Sequence, residues 1–157
     1  MKYYLILFIF FTSCAVFQPK KFNDLSLEEK MVTTARDTIT LGEVLEENSG
    51  KDSFIQVYAT YCPFSQDSFK EVILLQEKYK DVNYIFLSVD HSYYDWKRGL
   101  EKMKVKGQQY YIPKKGKGAL GKFLKLKTIP RFILLNKEGK IRVYNTADVL
   151  KIKRKLH

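Results

Sequence analysis

Tyr58-Ala59-Thr60-Tyr61-Cys62-Pro63-Phe64-Ser65 joins two segments of opposite periodicity. Upstream, Phe54 to Ala59 is a short apolar run that reads as a buried strand. Downstream, Phe64 to Tyr79 places Phe69, Val72, Ile73 and Leu75 at helical spacing and turns Gln76 and Glu77 outward. The junction therefore puts Cys62 at a helix N-terminus. Free backbone N–H groups and the helix dipole favour an anion there, and such a setting lowers a thiol's pKa from about 8.5 toward about 3.5 to 7.5. More thiolate makes a faster nucleophile. The competing reading of Cys62 is an inert, small, apolar side chain.

Working outward, Val82 to Val89, Arg131 to Leu135 and Lys140 to Tyr144 are further strand candidates, the last two joined by the turn Asn136-Lys137-Glu138-Gly139. Ser26 to Glu29 and Thr40 to Glu43 carry capping-box spacing, and Asn48-Ser49-Gly50 signals a helix stop. Tyr93 to Met103, opened by the box Ser92 to Asp95, and Asp148 to Leu156 read as helices. Strands alternating with helices imply a parallel pair, whereas the four-residue turn implies a hairpin. The expected architecture is a three-layer α/β/α sandwich around a mixed sheet.

The aromatic-Ala-Thr-aromatic-Cys-Pro run at the strand end and Thr128-Ile129-Pro130 before the Phe132 to Leu135 strand, 68 positions from Cys62 to Pro130, together resemble the thioredoxin-like family. Within it they are similar to the membrane-anchored, cell-envelope thioredoxins of the TlpA-like group. The resemblance covers about residues 38–157. It implies a thioredoxin fold, a cis proline at Pro130 lying against the reactive Cys62, and thiol–disulfide chemistry. Two positions depart from the family pattern. Ser65 replaces the second cysteine, giving a Cys-Pro-Phe-Ser monothiol motif, and Gln56 stands where the family commonly keeps a buried acid. Both losses strike resolution, the internal attack that breaks a mixed disulfide, because a serine hydroxyl cannot form one. Tyr58 and Tyr61 stand where the family has tryptophan.

The N-terminus sets the expected compartment. Lys2 precedes the uncharged run Tyr3 to Phe11 and then Thr12, Ser13 and Cys14, the layout of a secretory signal over residues 1–13. Phe11-Thr12-Ser13-Cys14 resembles a bacterial lipobox, with Phe11 where Leu is usual. The expectation is lipid on Cys14, a tether and short helix over 14–37, and a thioredoxin-like domain over 38–157, facing the periplasm from a bacterial membrane. Lipidation would leave Cys62 a lone thiol in an oxidising compartment; without it, a Cys14 to Cys62 disulfide is the alternative.

A chain of 157 residues, 45% hydrophobic, has the size of one domain with one core. Its net charge of +11 is unevenly placed: residues 97–127 hold eleven basic side chains against Glu101, while 14–96 hold eight basic and fourteen acidic ones. Twenty-three Lys against five Arg is a poor supply of bidentate forks, so no nucleic-acid partner is expected. An acidic partner or an anionic lipid surface fits better. Cys14, Cys62, His91 and His157 show no ligand spacing, and neither a metal nor another cofactor is expected. His91, just past the strand ending at Asp90, lies within reach of the site but carries little alone. The reading is monothiol exchange between Cys62 and protein thiols or disulfides of the cell envelope. The alternative is a non-catalytic binding module that keeps the groove at Pro130 and a lysine-rich partner surface.

Overall fold

The computed structural model describes residues 18–156, so Cys14, the signal-like run and His157 lie outside the described residues. Seven strands form one mixed sheet: β1 (Lys30–Thr33), β2 (Thr38–Thr40), β3 (Ser53–Tyr58), β4 (Asn83–Ser88), β5 (Gln108–Tyr111), β6 (Arg131–Leu135) and β7 (Ile141–Thr146). Their spatial order is β2-β1-β5-β4-β3-β6-β7. β3 runs parallel to β4, and β4 to β5, while β6 pairs antiparallel with β3 and forms the expected hairpin with β7.

Every residue of β3 is buried, as a central strand covered on both faces requires. Its side chains alternate between two layers. Ile55 and Val57 enter a core closed by α1 (Asp24–Leu27), α2 (Leu41–Glu47) and α5 (Ala119–Phe123), with Leu41, Val44, Leu120 and Leu124 as fillers. Phe54 and Tyr58 enter an aromatic core closed by α3 (Pro63–Lys78), α4 (Tyr93–Leu100) and α6 (Val149–Lys153), where Phe69, Phe86, Trp96 and Phe132 meet. Gln56 lies between Phe54 and Tyr58 in this alternation, on the α3 face. The three-layer thioredoxin-like sandwich stands as expected.

The second capping box forms as read: Thr40 Oγ1 accepts from Glu43 N–H, and the Glu43 carboxylate accepts from Thr40 N–H. The first does not. Asn23 caps α1, Ser26 lies buried inside it, and the chain turns directly into β1. Residues 22–37, read as the end of a tether with a short helix, thus join the packed unit: Phe22 and Met31 are core residues, and β1 pairs with β5. Glu29 explains part of this. Its buried carboxylate accepts from Ala119 N–H at 2.7 Å, capping α5 from ninety residues away. Gly118 leaves room for it, since a Cβ there would fall 2.1 Å from Glu29 Oε1.

Candidate functional site

β3 ends at Tyr58, and the chain crosses Ala59 to Tyr61 before α3 begins at Pro63. Cys62 is the N-cap of α3, in extended conformation, with no side chain capping the helix. Pro63 fills the first helical position, where a missing N–H costs nothing. The remaining first-turn N–H groups have no side-chain cap. Among the described residues Cys62 is a free, half-buried thiol, with Sγ 3.9 Å from the Ile129 carbonyl oxygen. The Ile129–Pro130 peptide is cis, and Pro130 is buried. Thr128 accepts a hydrogen bond from Arg131 and holds the loop's outer edge. Cys62, Ile129 and Pro130, far apart in sequence, therefore meet. Tyr61 and Phe64 flank them, 52% and 75% exposed, as two apolar rims.

Ser65 and Gln56 lie beneath this surface, both fully buried. Gln56 Nε2 donates to Ser68 Oγ at 2.9 Å, and Ser68 Oγ donates to the Ser65 carbonyl at 2.7 Å. Gln56 is thereby tied to the first turns of α3. Among the described residues Ser65 Oγ and Gln56 Oε1 have no hydrogen-bond partner. The hydroxyl at position 65 faces inward and has no basic group with which to become a nucleophile.

The strand-to-helix crossing is fastened by Asp90, a residue sequence reasoning passed over. Its buried carboxylate accepts from Thr60 N–H at 3.0 Å, from Thr60 Oγ1 at 2.6 Å and from Ser88 Oγ at 2.6 Å. A charged acceptor with three donors is a strong tie in a dry place. Gly99 of α4 packs directly on Thr60, with no space for a Cβ, which would lie 2.3 Å from the Thr60 side chain. Tyr58, at the end of β3, is buried, accepting from Trp96 Nε1 at 2.9 Å and donating to Gln109 at 2.9 Å. Burial, helped by the Asp90 charge, raises the Tyr58 pKa and keeps it a neutral donor. His91 stacks on Tyr61 with ring centres 4.5 Å apart, so it does face the site's margin.

Beyond Tyr61 a cleft of about 810 Å³ opens between α3 and α4, floored by Phe69, Ile73 and Met103 and edged by Lys70, Arg98, Lys102 and Lys104. The Ser92 hydroxyl, and secondarily Arg98, hold Asp95 in its wall below the ordinary carboxylate value. Among the described residues no cluster of His, Cys, Asp and Glu could hold a metal ion.

A buried strand delivering a cysteine to a helix start, against a cis-proline loop, defines a thioredoxin-type site. A family model described as thioredoxin-like matches residues 51–141, more than half of the chain, and the protein belongs to that family. Three solved structures are similar to it in fold. A candidate thiol-disulfide oxidoreductase from Bacteroides vulgatus is 26% identical, with a TM-score of 0.64 over 80% of this chain and 82% of that one. A candidate thiol:disulfide interchange protein DsbE from Chlorobium tepidum is 16% identical, with a TM-score of 0.69 over 90% of this chain and 100% of that one. A thiol-disulfide oxidoreductase from Bacteroides fragilis is 18% identical, with a TM-score of 0.66 over 80% and 95%. No curated protein matches the chain.

Proposed function

We propose that the protein carries out thiol–disulfide exchange by a monothiol route through Cys62, in the bacterial cell envelope, held to a membrane by lipid on Cys14 in the manner of the TlpA-like group. The observation that carries this reading is the pairing of an accessible Cys62 at an uncapped helix start with a buried hydroxyl at Ser65. The oxidoreductase and DsbE names of the structural neighbours support the chemistry and an extracytoplasmic setting. The lipobox-like quartet ending at Cys14 supports the anchor.

In the first step the Cys62 thiolate attacks one sulfur of a partner disulfide. That S–S bond breaks, a Cys62–partner disulfide forms, and the second partner sulfur leaves as thiolate. Release needs another thiol, from the substrate or a second protein, to attack the mixed disulfide and return Cys62 as thiolate. Electrons only move among sulfurs, so the cycle needs no bound cofactor. Pro130 and the Ile129 carbonyl border the attacking sulfur, Tyr61 and Phe64 offer apolar contact to the partner, and Gln56 anchors α3 from below.

Capture without internal release leaves long-lived adducts. Cells quenched in acid and alkylated should show adducts on non-reducing gels that vanish in Cys62→Ala. If Cys62→Ala changes nothing, while neutralising Lys114, Lys115 and Lys117 removes a partner, exchange is refuted and the protein is a binding module on a redox fold.

A further inference from the structure

Part of the chain's positive charge lines hollows beside α3. A second hollow of about 590 Å³ adjoins the cleft between α3 and α4 along α3, with Ile73 and Lys104 bordering both. Gln66 lines the Cys62 end and Lys80 the far end. The α3 residues lining the two hollows run from Gln66 to Glu77, eleven positions of about 1.5 Å each, so together they are roughly 17 Å long and hold about five residues of extended peptide. A small thiol would fill only one end.

Six cations line it: Lys70, Lys80, Arg98, Lys102, Lys104 and Lys106. Three acids oppose them, and two are already engaged, Asp95 by Arg98 itself, which leaves five of the six cations facing Glu77. Asp90 is buried under Thr60 and Ser88, and Asp95 is held by Ser92 and Arg98. Glu77 remains on the rim. Lys102 and Lys104 are exposed and make no ion pair among the described residues. The Lys70 pair with Asp67 is open to solvent and weak. These charges line the walls of a concavity with an apolar floor, a shape suited to a chain segment more than to a flat bilayer.

We infer that this groove docks an acidic, extended segment of the protein whose cysteine exchanges with Cys62. The inference rests on the exchange reading and adds the character of the substrate to it. The docked segment enters past Tyr61 and His91, which places its neighbouring cysteine next to Cys62.

Two measurements on the full chain in detergent test it. In the first, Cys62→Ala protein is titrated into a fluorescein-labelled, cysteine-free octapeptide rich in Glu and followed by anisotropy. Binding at low salt should weaken about tenfold in Lys102→Glu/Lys104→Glu, and by less than about twofold in Lys122→Glu/Lys140→Glu, which changes net charge equally on other surfaces. Equal weakening in both pairs, or no binding, overturns the groove. So does binding to phosphatidylglycerol vesicles that is lost in the Lys102 and Lys104 pair while peptide binding is unchanged, since the cations would then serve lipid.

In the second, Cys62-dependent release of thionitrobenzoate from its mixed disulfides with a Glu-rich and with a Lys-rich cysteine peptide is timed by absorbance. The acidic peptide should react about tenfold faster, an advantage that disappears near 1 M salt, where screening reaches about 3 Å. The uncharged reagent 4,4′-dithiodipyridine separates the two claims. If Cys62 reacts with it but shows no preference for the acidic peptide, the groove is refuted. If Cys62 reacts with nothing while the Cys62→Ala protein still binds the acidic octapeptide, exchange fails and docking stands.

Discussion

Asp90→Asn is the change that most directly probes how the motif is held. The substitution keeps the side chain's size but turns one acceptor oxygen into an NH₂ donor, facing groups that are themselves donors. Thr60 N–H, Thr60 Oγ1 and Ser88 Oγ all give hydrogens to the present carboxylate, in a site closed to solvent. A hydrogen bond to a charged group contributes about 1.5 to 3 kcal/mol, and an orphaned buried donor costs about 1 to 3. One remaining oxygen cannot serve Thr60 and Ser88 together, so a loss of about 2 to 4 kcal/mol is expected. For a domain of this size that lowers Tm by about 5 to 15 °C. Urea and thermal unfolding followed by circular dichroism measure it. Thr60→Val, which removes only the hydroxyl, should cost less, and the double variant should cost less than the sum, with a coupling of about 1 to 2 kcal/mol. Stability within about 0.5 kcal/mol of the parent for Asp90→Asn, or strict additivity with Thr60→Val, would refute the clamp.

Ser65→Cys should permit an internal disulfide with Cys62, detected as loss of titratable thiol after mild oxidation. Gln56→Glu should then speed turnover only in the Ser65→Cys background, and equal acceleration in the parent would contradict the role given to Gln56. Gly99→Ala should destabilise by about 1 to 3 kcal/mol, because the added Cβ must displace Thr60 or lift α4. Burial and, secondarily, neighbouring Tyr79 push Tyr84 up to about 12. The unfolded chain ionises this phenol near 10, so its contribution to stability is complete below that pH and is lost as pH rises toward 12. Tyr84→Phe should flatten the alkaline decline in Tm measured from pH 9 upward, and an unchanged slope would count against it. Mass spectrometry of the protein from bacterial membranes should find the mature chain starting at a lipid-bearing Cys14; an unmodified Cys14 or an intact Met1 start would remove the anchor.

The elements legible in the sequence are those whose signal is local. β3, α3 and the β6–β7 hairpin declare themselves by continuous apolar runs, a 3.6-residue period and a four-residue turn. β1 and β5 do not: Lys30–Thr33 has one fully buried residue, and Gln108–Tyr111 begins with two glutamines inside the lysine-rich stretch. Their strand state comes from pairing: β1 with β2 and with β5 about eighty positions away, β5 with β4 and β1. The same distinction divides the site. Cys62, Pro63 and Pro130 are visible through residue type and order, while Asp90, Gly99 and the His91 stack depend on distances that only folding creates. Glu29 is the extreme case, since capping by a side chain ninety residues away leaves no local pattern. The basic stretch was visible as a charge count, but not as the wall of a groove, because sequence does not say which lysines share a concavity.

The N-terminal strap also sets the end of the domain from which an anchor would lead. Lys20 C=O accepts from Ile141 N–H, and Phe22 is sealed in the core, so the chain is fastened to the sheet from these residues onward. Ile141 pairs with Leu135, which lies opposite Ser53, at the start of β3 and the pole farthest from Cys62. Six positions separate Cys14 from Lys20, a leash of at most about 20 Å when fully extended. A folded unit of this length is about 35 to 40 Å across. On a lipidated Cys14 the end of the sheet at Ser53 would lie nearest the bilayer, with Cys62 at the opposite end. Its partners would then be met from above, at a height set by the domain itself and not by the tether.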